Sequence, residues 1–137
     1  MKRIFLDSSV LFTAVNSPTG GSSKLFILRK VALCTSPVVL AEVERNVRNK
    51  LQKYHLTRWF MLVEKLFILD QMPEDVKIKQ AKKVIVDKDA VILAEAKMSK
   101  CSILVTLDRK HFFTEKVRSF MRPMQIMTPK EVIELVV

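Results

Sequence analysis

The chain has 137 residues, 49% of them apolar and only two of them glycine, which excludes a disordered chain and predicts one compact, helix-rich domain over residues 1–137. Lys and Arg number 24 against 14 for Asp and Glu, a net charge of +10, so we expect a polyanionic partner, chiefly nucleic acid. No apolar run is long enough for a signal peptide or a membrane span, and we expect a cytoplasmic protein without membrane contact.

Short apolar runs alternate with segments of helical periodicity along the chain. The runs predict about five strands, at residues 3–6, 33–35, 67–69, 102–106 and 125–127. The periodicity predicts helices at residues 8–14, 23–32, 37–53, 57–66, 74–83, 87–100, 113–120 and from 129 onward. Ser8 or Ser9 would cap the first helix, and residues 16–23, which hold both glycines, predict a flexible loop. This alternation predicts an α/β fold whose central parallel sheet is covered on both faces by helices.

Four acidic residues lie against apolar sequence, although an unpaired buried carboxylate is very costly. Asp7 directly follows the first strand and Asp108 lies two residues beyond the fourth. Both are expected at the C-terminal edge of the sheet, where parallel α/β sheets bind ligands. Asp89 shares a helical face with three apolar residues, which directs its carboxylate towards the sheet. With the helix-borne Glu42, these groups predict a divalent metal site.

Each of the four acids also has an ordinary structural explanation. Asp7 can cap the first helix, and Asp89 can stabilise a helix N-terminus through the macrodipole. Glu42, half-buried at best, can pair with Arg45, and Asp108 can be a turn residue. Any one acid is explained in this way, whereas two at strand ends and two on helices form a pattern that favours a metal site.

The four acidic segments together resemble the PIN-domain nucleases, including the VapC-like toxins of toxin–antitoxin pairs. The resemblance rests on FLDSSVLF around Asp7, SPVVLAEVERNV around Glu42, DAVILAEA from Asp89 and LVTLD ending at Asp108. Order and spacing agree over nearly the whole chain. The resemblance implies a three-layer α/β/α domain that cleaves RNA with an acidic metal site at the strand ends, either as a toxin or as an RNA-processing enzyme.

The same resemblance implies a catalytic role for all four acids. Asp7, Asp89 and Asp108 would hold one or two Mg²⁺ or Mn²⁺ ions, and Glu42 would hold or orient the attacking water. The implied partners are an RNA substrate, an antitoxin protein and a second copy of the chain in a homodimer.

Four further residues are expected to assist the acids. Ser9 and Thr106 would hydrogen-bond the carboxylates or the phosphate, and Arg109 and Lys110 would neutralise the substrate backbone.

Two positions depart from the family pattern. Ser9 stands where the family often has Asn, and His111 stands where relatives often place another acid, for which Asp87 or Glu95 could compensate. We expect His111 itself to be a surface histidine in a turn. These departures keep open a second hypothesis, a catalytically weak PIN-fold module that binds RNA. A third hypothesis is a receiver-type phosphoacceptor. Such a domain would carry paired acids early in the chain, and the DSS segment that begins at Asp7 lacks them.

Overall fold

The centre of the molecule is a five-stranded parallel sheet with the order β3-β2-β1-β4-β5. The computed structural model describes all 137 residues. The strands are β1 Lys2–Leu6, β2 Val31–Thr35, β3 Phe67–Ile68, β4 Ile103–Val105 and β5 Gln125–Met127. The predicted α/β class with five short parallel strands is confirmed.

Eight α-helices connect the strands and a ninth follows the last strand, and none is long and apolar enough to cross a membrane. A 3₁₀ turn, Leu25–Ile27, follows the second helix. The helices are α1 Ser8–Asn16, α2 Gly21–Lys24, α3 Pro37–Lys50, α4 Lys53–Val63, α5 Asp75–Lys82, α6 Asp87–Ser99, α7 Arg109–Phe112, α8 Glu115–Met121 and α9 Pro129–Val136.

The direction in which the chain winds reverses at β1. Helices α1, α3 and α4 pack together and belong to the connections that lead from β1 outward to β3, whereas α5 and α6 pack together and lead back to β4. Because crossovers between parallel strands are right-handed, these two groups of helices lie on opposite faces of the sheet. A crevice therefore opens beyond the C-terminal ends of β1 and β4, the place where open parallel sheets bind ligands.

The central strand supplies the middle of the core. Ile4, Phe5 and Leu6 of β1 are fully buried, as are all three residues of β4 to within a few per cent. Such continuous apolar runs are expected of strands covered on both faces. The rigid core ends at Asp7 and Thr106, where the polar residues of the crevice begin.

Residues 16–32 differ from the prediction. The predicted loop over residues 16–23 contains the start of α2 at Gly21, and the helix predicted over residues 23–32 is replaced by α2 and the 3₁₀ turn. Ala32, predicted to end that helix, lies in β2, where it pairs with Arg3 of β1. Tertiary strand pairing of the β-favouring VALCT segment overrides the local helical pattern.

Helix α4 begins at Lys53, earlier than the predicted start at residue 57, and two helix starts beside the acids also differ from the prediction. The N-cap position of α1 is Asp7, not Ser8 or Ser9, yet the Asp7 side chain makes no capping hydrogen bond. Helix α7 was not predicted, because RKHF has no apolar repeat; the Asp108 side chain caps it by accepting from the His111 N–H. The Asp108 side chain therefore caps its helix, whereas the Asp7 carboxylate does not cap α1 and is available for other contacts.

Candidate metal centre

Asp7 is a buried carboxylate, 4% exposed, that ties β1 to the residues after β4. Its backbone N–H donates to the Val105 carbonyl at 3.0 Å. Its Oδ2 accepts from Ser9 Oγ at 2.9 Å and from Thr106 Oγ1 at 2.7 Å. Its Oδ1 receives only a 3.4 Å hydrogen bond from Ser8 Oγ. Two hydroxyl groups therefore fix the carboxylate and leave lone pairs on Oδ1 for a further ligand.

The hydroxyl groups of Ser9 and Thr106 continue to the loop that carries Asp108. Ser9 Oγ accepts from the Leu107 N–H, and Thr106 Oγ1 accepts from the Asp108 N–H, both at 3.1 Å. Each hydroxyl thus donates to Asp7 and accepts from the β4–α7 loop. This pair of bonds sets where Asp108 lies relative to Asp7.

Asp108 is held against His111, one turn later in α7. Its Oδ1 accepts from the His111 N–H at 3.1 Å, and its Oδ2 lies 2.8 Å from His111 Nδ1. Burial raises the pKa of this carboxyl, but the side-chain and backbone hydrogen bonds of His111 outweigh burial, and the net pKa is lowered. Asp108 is therefore stabilised in the charged form.

Asp89 lies in the first turn of α6 and has the least satisfied carboxylate of the three. Its Oδ2 is buried and has no hydrogen-bond partner. His111 Nδ1 is 3.6 Å away, too far for a hydrogen bond. Loss of water raises the pKa of Asp89, and the nearby charges of Asp7 and Asp108 add to that shift. An anion that repels two neighbouring anions and lacks a donor fits a site that is completed by a cation.

The ligand atoms of Asp89, Asp108 and His111 all lie within 4.8 Å of one another. Oxygen atoms of carboxylates are the ligands that Mg²⁺ and Mn²⁺ prefer, and one ion can bind several at such spacing. The residues present therefore fit a divalent metal ion, and the buried, unpartnered Asp89 Oδ2 is the observation that carries this fit. Asp7 acts electrostatically on Asp89 and faces the same crevice.

Glu42 is half-buried on α3 and makes no hydrogen bond or ion pair. The alternative pairing with Arg45 does not occur; the ion pair on this helix joins Arg48 to Glu44 at 3.2 Å. The acids that raise the pKa of Asp89 are Asp7 and Asp108, and Glu42 is not among them. The structure thus groups Asp89 and Asp108 with His111 and places Asp7 near enough to act electrostatically on Asp89, while no contact joins Glu42 to them.

Arg109 and Lys110 are the first two residues of α7, directly after Asp108, and both are exposed. The Arg109 guanidinium lies 5.5 Å from the centre of the Phe113 ring. Neither residue forms an ion pair with an acid. Both cations are therefore exposed beside Asp108 and form no ion pair.

His111 is the residue whose position the sequence did not predict correctly. The expectation of a surface histidine in a turn is wrong, because the ring is mostly buried, with 22% of the side chain exposed, and contacts both Asp89 and Asp108. The spacing Asp108-x-x-His111 places both residues on one face of a helix. That signal was present, but no helix was predicted over RKHF.

The two acids considered as substitutes for a missing ligand do not join the three carboxylates. Asp87 is exposed at the start of α6. Glu95 is fully buried on the same helix, where its Oε1 accepts from Ser36 Oγ at 2.7 Å and its Oε2 has no partner. Burial raises the pKa of Glu95, although the Ser36 bond opposes the shift. Glu95 therefore braces α6 against the start of α3.

The PIN domain family model matches residues 4–117, and the chain belongs to this family. No curated protein sequence matches it. The resemblance drawn from the four acidic segments is confirmed.

Solved structures show the same fold at low identity. A chain of VapBC2 from Rickettsia felis, bound to a DNA fragment from their promoter, has a TM-score of 0.70 and 17% identity, covering 92% of this chain and 98% of that one. A chain of DNA-bound VapBC from Salmonella typhimurium has a TM-score of 0.65 and 17% identity, covering 94% of this chain and 99% of that one. A chain of a toxin–antitoxin complex from Klebsiella pneumoniae has a TM-score of 0.63 and 17% identity, covering 92% of this chain and 97% of that one. These likenesses establish the fold.

Proposed function

We propose that this PIN-domain protein is a ribonuclease that depends on Mg²⁺ or Mn²⁺ and hydrolyses phosphodiester bonds in the β1–β4 crevice. The observation that carries the proposal is the buried, unpartnered Oδ2 of Asp89 beside the carboxylates of Asp7 and Asp108. Apart from His111, the only cation that acts appreciably on Asp89 is Lys88. A divalent ion supplies the missing positive charge.

The chain supplies ligands, orientation and charge. Asp89 and Asp108 would hold the ion together with Asp7, whose carboxylate is kept in one orientation by Ser9 and Thr106. When bound, a divalent metal lowers the pKa of a water and neutralises charge on the phosphate. Glu42, on α3, would turn towards the crevice to orient the attacking water. This role for Glu42 comes from the family resemblance.

RNA is the proposed substrate because of charge. The net charge of +10 favours a polyanion, and Arg109 and Lys110 stand exposed next to Asp108. Exposed cations at the mouth of an acidic crevice bind the phosphates on either side of the bond to be cut, while the ion screens the carboxylates from the substrate. The substrate would be met in the cytoplasm.

Replacing one carboxylate tests the proposal. Asp7→Asn keeps the shape of the side chain but removes its charge, so Mn²⁺-dependent cleavage of a labelled RNA should fall by at least about 100-fold while circular dichroism stays unchanged. Asp70→Asn is the matched control, since Asp70 is exposed and makes no hydrogen bond. Equal cleavage by Asp7→Asn and the control would rule out the assignment.

A toxin–antitoxin role is the most specific version of this function. It is supported by the fold shared with chains whose structures were solved as VapBC and toxin–antitoxin complexes. Expression of the wild-type chain alone should then arrest bacterial growth, and Asp89→Asn should not. Co-expression of the protein encoded by a small neighbouring gene should relieve the arrest, and a wild-type chain that leaves growth unaffected would count against the toxin role.

A homodimer is proposed from the exposed apolar side chains of α4. Tyr54, Phe60 and Met61 are each about half exposed or more, and apolar patches of this kind mark protein contacts. Sedimentation analysis should show a dimer for the wild-type chain and a shift towards monomer for Met61→Glu. A monomeric wild-type chain at micromolar concentration would contradict it.

A binding module without catalysis remains the second candidate, and the isolation of Glu42 is the observation that favours it. If Glu42 never reaches the crevice, the water lacks a positioning group, and RNA would be bound but not cut. Calorimetry with Mn²⁺ separates the two, because retained RNA binding without Mn²⁺ heat fits only the binding module. The family match leaves the receiver-type alternative without support.

A further inference from the structure

His111 introduces a nitrogen among the oxygen ligands of the crevice. Its Nδ1 lies 2.8 Å from Asp108 Oδ2 and 3.6 Å from Asp89 Oδ2. Its backbone N–H is bound by Asp108 Oδ1, so the ring is fixed to the same loop as the carboxylate. Its Nε2 makes no hydrogen bond with the protein. The ring therefore faces the acids and is not held by any other group.

The two distances from His111 Nδ1 to the carboxylate oxygens are close to those between ligands on one ion. Two ligand atoms bonded at about 2.1 Å lie about 3 to 3.5 Å apart in octahedral or tetrahedral geometry. The observed separations of 2.8 and 3.6 Å are close to this range. Small shifts would exchange the Asp108–His111 contact for two bonds to a shared metal, with the ring in the tautomer that carries its proton on Nε2 and leaves the lone pair of Nδ1 for the ion.

We propose that His111 is a metal ligand and that it makes the site select first-row transition ions such as Mn²⁺ over Mg²⁺. The inference rests on the proposed function, because it requires a divalent ion at Asp89 and Asp108. Mg²⁺ is a hard ion that prefers oxygen and gives up its waters reluctantly, whereas a nitrogen ligand favours first-row transition ions, least for Mn²⁺ and more strongly for the later ions of the series. An acid in place of His111 would give an all-oxygen set and remove this preference.

The test compares the affinities of the two ions in variants that differ only in this ligand. Calorimetric titration of metal-free protein should give Mn²⁺ binding at least about 100-fold tighter than Mg²⁺ binding. His111→Asp and His111→Gln should each lower that ratio about tenfold or more, the first by improving Mg²⁺ binding and the second by weakening Mn²⁺ binding. His55→Gln changes the other histidine, which caps α4, and should leave the ratio unchanged.

A spectroscopic measurement on the unaltered protein removes dependence on the variants. Pulsed electron paramagnetic resonance of bound Mn²⁺ should show coupling to one ¹⁴N nucleus, and the signal should vanish in His111→Gln. Mn²⁺ binding without nitrogen coupling, or an equal metal ratio in wild type and His111→Asp, would overturn the role of His111 and leave the carboxylate site standing. No binding of either ion would overturn both that role and the proposed function.

Discussion

Replacing Thr106 with Val tests how the fold orients the carboxylates. Thr106 is fully buried directly after β4. Its hydroxyl donates to Asp7 Oδ2 at 2.7 Å and accepts from the Asp108 N–H at 3.1 Å. Valine keeps the branched shape of the side chain and removes both bonds. The change therefore leaves the core filled, removes one of the two hydroxyl groups that hold Asp7 and leaves the Asp108 N–H without its acceptor.

The expected loss of stability follows from these two bonds. A hydrogen bond to a charged group contributes about 1.5–3 kcal/mol, and a part-buried amide without an acceptor costs about 1 kcal/mol more. We expect the free energy of unfolding of the metal-free protein to fall by about 3 kcal/mol. The matched control is Thr35→Val, because Thr35 is equally buried and donates one bond to the neutral Leu6 carbonyl at 3.0 Å. That change should cost about 1 kcal/mol.

Urea unfolding with a chelator present, followed by circular dichroism, measures both losses, and calorimetry measures the Mn²⁺ affinity of each variant. Because Asp7 then keeps only one of the two hydroxyl groups that orient it, Thr106→Val should bind Mn²⁺ about 10- to 100-fold more weakly, while Thr35→Val should bind as wild type does. Thr106→Ser should restore most of both properties. Equal losses of stability and affinity in the two valine variants would refute the role given to the Thr106 hydroxyl.

Three further changes have defined outcomes. Asp89→Asn removes a carboxylate that is repelled by Asp7 and Asp108. Urea unfolding should therefore show that the metal-free variant is more stable than the wild type by about 1 kcal/mol, and calorimetry should show that Mn²⁺ binding is lost. A variant less stable than the wild type would contradict this repulsion. The folded-state pKa of Glu95 is raised above its ordinary value of 4.5, so its contribution to stability is complete below that pH and is lost as pH rises through the raised pKa, by up to about 1.4 kcal/mol per pH unit. Glu95→Gln should flatten this decline in the free energy of unfolding, measured from pH 4 to 8. An unchanged slope would mean that another group causes the decline. Lys100 follows α6 in the left-handed conformation, with φ of 58°, which glycine adopts at less cost than other residues. Lys100→Gly should therefore stabilise the protein by about 0.5–1 kcal/mol in thermal unfolding. Lys97→Gly, inside the helix, should destabilise it.

The hydrophobic periodicity and the residues that start helices predicted most of the elements that position the crevice. The strands predicted over residues 3–6 and 102–106 agree with β1 and β4 to within a residue at each end, and Pro37 and Asp87 open α3 and α6 as predicted. These segments have strong local signals that agree with their tertiary roles. Residues 23–32 do not, since pairing of Val31 and Ala32 with β1 is a long-range interaction that a local pattern does not contain.

The crevice was predictable where strand ends determine it and less so elsewhere. Asp7 and Asp108 follow adjacent strands, so their neighbourhood follows from topology. His111 was missed because its position depends on α7, a four-residue helix that only the Asp108 cap defines. The distance from Glu42 to the other acids depends on how α3 packs on the sheet, which the sequence pattern of α3 alone does not specify.

The most direct test of the central claim is calorimetric titration of Mn²⁺ into metal-free protein, carried out on the wild-type chain, Asp89→Asn and the exposed control Asp70→Asn. A metal site built on the buried, unpartnered Asp89 Oδ2 predicts saturable binding in the wild type and the control, and loss of that binding in Asp89→Asn. Absence of binding in the wild type, or equal binding by all three proteins, would contradict it.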